Sequence, residues 1–513
     1  NLGGPSAHFG LLQKATLMSS PLHLGTTPQF ARVRDFFADT GFNASNLCQT
    51  LGLRDMSDLG LVRWDELPAD KLSASLRWCL EAFVRGVPVS EAESSAACGP
   101  ATLSALTALG LLRPAHKTPG ALVCPVWVYP VDGFVVASDR RDDPEGGSCI
   151  PEEDVVFPAI YAGTLRFLNL LPLASAGDAL DLCGGTGIGA LHLSRTARRS
   201  VSADVTGRAA FFADFNARLN GVEITSACGD LYAPVAGSQF DLISAHPPFV
   251  PATGPKMVYR DAGDTGEEIT RRIVEELPTH LRTGGTCVIL CVARDTAERP
   301  FEQRAREWLG TAGDQFDIVF GLEKVLTVEG VVESIRKRGQ QISQEQARDL
   351  VARLRSLGTR QFVYGALFLR RYAQTVPDEP LRIQLSPEGC AADFDRLLRW
   401  RAHCRRADIN HWLAGSRPRL APRLELTVRH TVRDGELVPA EFVFSIAEGF
   451  EAALRPDAWI VPLLARLEGK HSVEDIFRQA AAAGDLPQGF AFDDFADLVR
   501  KMIERGFLQV DLA

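Results

Sequence analysis

Residues 179–189 read Ala179-Leu180-Asp181-Leu182-Cys183-Gly184-Gly185-Thr186-Gly187-Ile188-Gly189. An apolar run stops at a glycine-rich turn. The turn opens directly into the helical pattern of Ala190, Leu191, Leu193 and Ser194. The stretch therefore predicts a buried strand, a tight turn and a helix. Glycine turns let a ligand approach the backbone closely, and the helix that follows aims its N-terminus at that ligand. A tight strand-to-helix loop also needs glycines for steric reasons alone, so the turn by itself names no ligand.

Three downstream features narrow the reading. Asp204 ends a second strand-like run, Ser200 to Asp204, about twenty residues on, where a ribose-binding acid is expected. Gly229-Asp230 follows a third apolar run. Phe240-Asp241-Leu242-Ile243-Ser244-Ala245-His246-Pro247-Pro248-Phe249 then reads as a strand that ends in a stiff double-proline turn. Further strands are predicted at 223–227, 286–291, 317–321 and 362–369, alternating with helices. Such alternation implies a mostly parallel sheet with helices on both faces and ligand loops at the carboxyl edge. The charged, helical insert from Ser334 to Ser356 is expected outside the sheet.

In order and spacing these motifs resemble the class I S-adenosylmethionine (SAM) methyltransferases over about residues 155–371. The branch resembled has a small catalytic domain and an Asn-Pro-Pro-Phe/Tyr motif. It includes the glutamine methyltransferases of release factors and several rRNA base methyltransferases. The resemblance implies an α/β, Rossmann-like core: a mostly parallel seven-stranded sheet with its last strand antiparallel. It implies SAM as cofactor, with Asp181, Cys183, Gly184, Gly185 and Gly187 in the loop around its methionine part. Asp204 would accept hydrogen bonds from the ribose, at about 1.5–3 kcal/mol each. Val205 would touch adenine, Asp230 would accept from the adenine amino group, and Leu231 would lie against the ring. The family usually has glycine where Cys183 stands, so Cys183 must tolerate the turn.

By the same resemblance the methyl acceptor meets His246, Pro247 and Phe249, with His246 also bordering the cofactor. Pro248, Phe249, Tyr259, Arg260 and Asp261 would hold the substrate. In the related enzymes an asparagine oxygen and a proline carbonyl accept from a planar nitrogen, and an aromatic ring stacks on it. Two prolines fix the backbone that aims those carbonyls. Here His246 departs from the asparagine. Neutral histidine offers one acceptor nitrogen and can take a proton. Three readings stay open: nitrogen methylation with a swapped acceptor, methylation of a hydroxyl or thiol with His246 as general base, and a SAM-binding regulatory or scaffold protein without turnover. Arg260 and Asp261 either orient substrate or pair with each other. Direct transfer from a sulfonium requires no metal, and no Cys/His grouping has zinc-ligand spacing.

The whole chain holds 513 residues, too many for one ordinary core. Its 46% hydrophobic and 23% charged content is that of a globular protein. No run of eighteen apolar residues indicates a membrane span. Eleven scattered cysteines without a CxxC pair fit a reduced, cytoplasmic setting. The expected layout is a flexible lead-in over 1–27 and a helical, winged-helix-like domain plus strands over 28–150. The catalytic domain follows over 151–375, then an arginine-rich connection over 376–440 and a second winged-helix-like domain over 441–513. A net charge of −9 argues against a protein that coats nucleic acid with its whole surface. Yet from Arg396 to Arg433 there are ten arginines and two acids, Asp408 and Glu425. That stretch reads as a surface for nucleic acid or an acidic partner, or as an interface that neutralises the chain's own acids. A homodimer is a further open expectation.

Overall fold

All seven strands expected between 178 and 371 form, and they lie side by side. The fold is a computed structural model that describes residues 20–64, 72–147, 152–173, 177–252, 257–337 and 342–512. We number the strands of the central sheet β1 (Asp178–Leu182), β2 (Arg199–Asp204), β3 (Thr225–Cys228), β4 (Phe240–Ala245), β5 (Leu281–Thr296), β6 (Phe316–Leu326) and β7 (Thr359–Arg371). Their spatial order is β3-β2-β1-β4-β5-β7-β6. β1, β2, β3, β4 and β5 pair in parallel, and β7 runs antiparallel to both β5 and β6. This is the Rossmann-like α/β core with one reversed strand. The order changes direction beside β1 and β4, and in an open parallel sheet the crevice at the carboxyl ends of such strands is where ligands bind.

The sheet does not stop at seven strands. β8 (Leu381–Leu385), β9 (Glu425–Arg433), β10 (Glu436–Ile446) and β11 (Phe450–Leu454) extend it beyond β6 to eleven, in the order β9-β10-β11-β8-β6. Sequence reading missed these four, because the arginines of β9 mask its alternation of Leu426, Val428 and Val432. Residues 440 and 441, where a domain boundary was expected, both lie inside β10.

Before the core, helices Thr27–Asp39, Ala74–Cys79, Glu91–Cys98 and Pro100–Ala108 form close to the predicted positions. Ser90 and Glu93 make the expected capping box. Three short antiparallel strands accompany them, Val89–Ser90, Arg113–Pro114 and Ala121–Val123. Of the expected lead-in, residues 1–19 lie outside the described residues, whereas Leu22 is buried against the helices.

A separate hairpin, Val126–Val131 with Phe134–Asp139, leans on the core helix α3 (Gly207–Asn220). Asn216 and Asn220 replace the missing neighbouring strand. The Asn216 amide accepts from Ala137 N at 2.8 Å and donates to Ala137 O at 2.9 Å. Asn220 does the same with Val135, at 2.9 and 2.7 Å. One apolar cluster therefore runs from Phe30 through Tyr129 to Phe215 and Leu242. After the sheet, helices Val473–Ala483 and Phe492–Glu504 build a second cluster with Trp400 and Phe444. No described helix is long and apolar enough to cross a membrane.

Candidate functional site

The glycine turn lies between β1 and helix α2 (Ile188–Leu193). It is packed tightly from below. A Cβ at Gly184 would reach within 2.1 Å of Ser202 Oγ, one at Gly187 within 2.7 Å of Ala213, and one at Gly189 within 2.4 Å of Asp181. Above Gly185 there is open space, with nothing within 4 Å of an added Cβ. The turn is thus a cradle that only glycine backbone leaves open.

Cys183 adopts φ 57°, in the left-handed region. That is the physical reason a glycine suits this position. The thiol is half-buried, and burial pushes its pKa well above the usual value.

Asp181 is buried beneath the turn and does not face the opening. Its Oδ1 accepts from Ser244 Oγ at 2.8 Å, and the Ala190 amide also favours its charged form. Burial nevertheless dominates and raises its pKa to about 7. Asp204, at the end of β2, stands at the rim. One carboxylate oxygen accepts from Gly185 N at 3.0 Å and the other from Thr206 N at 3.0 Å. Burial raises its pKa, opposed by these bonds. Val205 beside it is 51% exposed. Leu231 is buried with φ 48°. Asp230 takes a bidentate pair from Arg272, at 2.7 and 3.2 Å, so its free capacity is smaller than its sequence position implies.

β4 delivers the second half of the site. His246 follows its last residue and lies between two rings. Phe167 of helix α1 (Ala162–Asn169) is 5.4 Å away and Phe249 is 6.1 Å away, centroid to centroid. A Cβ on Gly163 would come within 3.6 Å of the His246 ring and 4.0 Å of the Tyr364 hydroxyl. Burial in this enclosure, with no charged partner among the described residues, pulls the His246 pKa down to about 4. The imidazole is therefore neutral at physiological pH, with an acceptor nitrogen to offer. Phe249 also meets Tyr364 of β7 at 6.4 Å. The family resemblance implies that the helical stretch Tyr161 to Leu171, which holds Gly163 and Phe167, lies near the cofactor site, without singling out either residue; Tyr364 was not foreseen, because a lone tyrosine far from the motif carries no signal in one sequence.

The loop after the motif folds back on it. Val250 N donates to Arg260 O, and Ala262 N donates to Val250 O, both at 3.0 Å. Asp261 is held by Arg260 Nε at 2.6 Å and by Met257 N at 2.8 Å. These two residues pair with each other, one of the two alternatives left open by the sequence. Tyr259 stacks on Phe157 at 4.8 Å, and Phe157 stacks on Tyr161 at 4.9 Å. The two helices of the insert, Val328–Lys337 and Gln344–Ser356, pack on Val250. As expected, they lie outside the sheet. Pro247 is buried, and Pro248 is half-buried at the surface of the turn.

His192 packs and binds Asp132 at 2.7 Å; His280 stacks on Tyr232 at 4.3 Å. Among the described residues, no group of three or more His, Cys, Asp or Glu side chains could hold a metal ion. Of the ten arginines from 396 to 433, seven have carboxylate partners: Arg396, Arg399, Arg401, Arg405, Arg406, Arg423 and Arg429. Six of those seven reach acids outside the stretch, such as Asp317, Asp378 and Glu441. Counting charge within a window hid this, and the neutralising reading accounts for most of the cluster.

Residues 157–308 match the family described as "Methyltransferase small domain". The chain is 28% identical over 195 residues to a ribosomal protein uL3 glutamine methyltransferase of Bradyrhizobium diazoefficiens, covering 33% of this chain and 60% of that protein. It is 33% identical over 120 residues to a putative protein N5-glutamine methyltransferase of Methanocaldococcus jannaschii, covering 22% and 60%. A ribosomal RNA small subunit methyltransferase C of Alcanivorax borkumensis is 27% identical, covering 31% and 46%. The chain thus spans 60% or less of the length of these relatives. Among solved structures, a Thermus thermophilus 16S rRNA N2 G1207 methyltransferase in complex with AdoMet and guanosine matches at 15% identity with a TM-score of 0.27. That match covers 53% of this chain and 61% of the other.

Proposed function

We propose that this chain, which belongs through residues 157–308 to the small-domain branch of the class I SAM methyltransferases, methylates a planar nitrogen, either a carboxamide or an exocyclic amine. The observation that carries this reading is the state of His246. It is neutral, enclosed by Phe167 and Phe249, and at the end of the strand beside the glycine turn.

The residues present fit the cofactor. The open backbone above Gly185 suits the methionine part, and Asp204 at the end of β2 suits a ribose diol. Asp181 serves from below, holding the turn to β4 through Ser244. Val205 and Leu231 supply apolar surface for adenine. When bound, SAM contributes an activated sulfonium methyl. The protein has then to position the acceptor and exclude water.

His246 does the positioning. Its neutral ring accepts a hydrogen bond from the acceptor N–H and turns the nitrogen lone pair toward the methyl, and the proton that the methylated nitrogen then loses passes to water. Phe249 stacks on the planar group. A histidine whose conjugate acid has a pKa of about 4 is a poor base toward a hydroxyl. The buried, neutral ring thus favours acceptance over proton removal, and the relatives' names favour nitrogen over oxygen. The relatives' names point to protein glutamine or a nucleobase as the acceptor class. The ten described cysteines are all unpaired, which supports a cytoplasmic setting.

The test is methyl transfer from labelled SAM to carboxamide and nucleobase substrates, with Asp204→Ala and His246→Ala beside the parent. The reading requires turnover by the parent. His246→Ala should keep SAM binding and lose turnover, and Asp204→Ala should lose both. Binding without any turnover would favour a regulatory role.

A further inference from the structure

β9 ends the eleven-stranded sheet. It pairs with β10 in antiparallel register, from Glu425↔Ser445 to Arg433↔Glu436. Among the described residues, no backbone hydrogen bond joins 425–433 to any other element. The register shift between Arg429 and His430 comes from an extra residue in β10, so β9 itself runs on without a break. A nine-residue strand is about 30 Å long, and its outer row of N–H and C=O groups is a template for another strand.

The side chains say which strand. Leu426, Val428 and Val432 lie opposite Phe444, Phe442 and Leu437 on one face of the hairpin. Val432 and Leu437 are 72% and 73% exposed, and Leu426 is 44% exposed. The sequence of β9 is also complementary to itself read backwards. With two copies antiparallel about Arg429, Glu425 falls opposite Arg433, Leu426 opposite Val432, Thr427 opposite Thr431, and Val428 opposite His430. Opposite charges, apolar pairs and threonine pairs all favour such neighbours. A shift of one residue would set Glu425 against Val432 and turn the apolar faces apart. The one like pair is Arg429 with itself. Each Arg429 already binds Glu441 of its own hairpin at 2.8 Å, a carboxylate that Arg455 shares at 3.3 Å.

We propose that β9 is a homodimer interface, at which two copies of this chain join edge to edge about a two-fold axis at Arg429. The pairing makes the two sheets continuous and covers Leu426 and Val432 of each copy with those of the other. β1, which carries the glycine turn, is eight strands in from this edge, about 40 Å away. The dimer therefore leaves each site open to its own substrate.

Sedimentation of the full chain over a range of concentrations tests this. The expected result is a reversible dimer. Arg433→Glu sets two carboxylates opposite each other at both ends of the interface and should weaken the dimer about tenfold. Glu425→Arg in that same chain should restore it. Val432→Lys should yield monomers that melt as the parent does once it is diluted below its dimer dissociation constant, with unchanged turnover. Arg429→Cys should cross-link to its own copy under mild oxidation, above the level set by the parent's cysteines. A chain that stays monomeric at every concentration overturns the proposal. So does a dimer that ignores both charge reversals and does not cross-link through position 429.

Discussion

Ser244 Oγ donates a 2.8 Å hydrogen bond to Asp181 Oδ1 in a fully buried setting, tying β4 to the floor of the glycine turn. Ser244 is two residues before His246. The strand that leads to His246 and the glycine turn thus share one buried bond.

Burial of that carboxyl, which the bond only partly offsets, leads to a pH signature. Burial raises the Asp181 pKa to about 7, so the folded chain holds a proton that the unfolded chain releases near pH 4. Stability contributed by this group is highest below the unfolded value and declines as pH rises toward about 7. Asp181→Asn cannot ionise, yet it can still accept from Ser244. Its melting temperature relative to the parent should therefore improve steadily from about pH 5 to about pH 8. Thermal melts of both proteins across that range check this; a constant offset would contradict it.

His246 has the opposite sign. Its pKa falls from 6.5 to about 4 on folding, so the unfolded chain binds the proton that the folded chain refuses. Stability is full above about pH 6.5 and is lost as pH drops toward 4, by on the order of 3 kcal/mol. His246→Asn should remove this acid-side loss and retain measurable transfer to a nitrogen acceptor. The parent's rate should show no inflection near pH 6.5. A rate that halves there would mean that the imidazole titrates normally and that its enclosure is incomplete.

Cys183 sits at φ 57° in the cofactor turn. A residue with a Cβ costs about 1–2 kcal/mol in that region. Cys183→Gly should raise stability by about 1 kcal/mol with SAM affinity kept. Cys183→Val should lower both. Calorimetric titration with SAM, together with melting curves, reads out the two effects.

Arg401 and Arg405 converge on Asp317, whose side chain is fully buried. Arg401 also reaches Glu504 at 3.3 Å and the Glu379 carbonyl at 2.9 Å. Removing Arg401 leaves the buried Asp317 carboxylate with Arg405 as its one remaining partner and only partly compensated. Arg401→Ala should therefore cost about 3–5 kcal/mol of stability. Arg423→Ala, at an exposed pair with Glu388, should cost at most about 1 kcal/mol. Denaturant unfolding distinguishes them, and equal losses would refute the distinction.

The core was legible because its signals are local. Asp181 to Gly189 states strand, turn and helix within eleven residues of Ala179, and His246 to Phe249 states where β4 ends. What could not be read came from distant parts of the chain. Phe167 and Tyr364 enclose His246 from α1 and β7, and neither carries a spacing that says so. Asp181 looked like a loop residue, but its position beneath the turn depends on Ser244, sixty-three residues on. The arginines after 396 looked unbalanced because Asp317 and Asp378 lie outside the stretch. β9 was hidden by its own charges, which the edge of a sheet tolerates and a central strand does not.

Asn216 has one more partner. Besides clasping Ala137 of the hairpin, its side-chain nitrogen donates to the carbonyl of Thr186 inside the glycine turn at 2.9 Å. A single carboxamide therefore belongs at once to the preceding segment and to the cofactor loop. Cutting the chain ahead of residue 152 would strip Asn216 of two hydrogen bonds and leave the turn hung from a side chain free to rotate. The smallest autonomous unit of this fold is set by that amide, not by the span of its recognisable motifs.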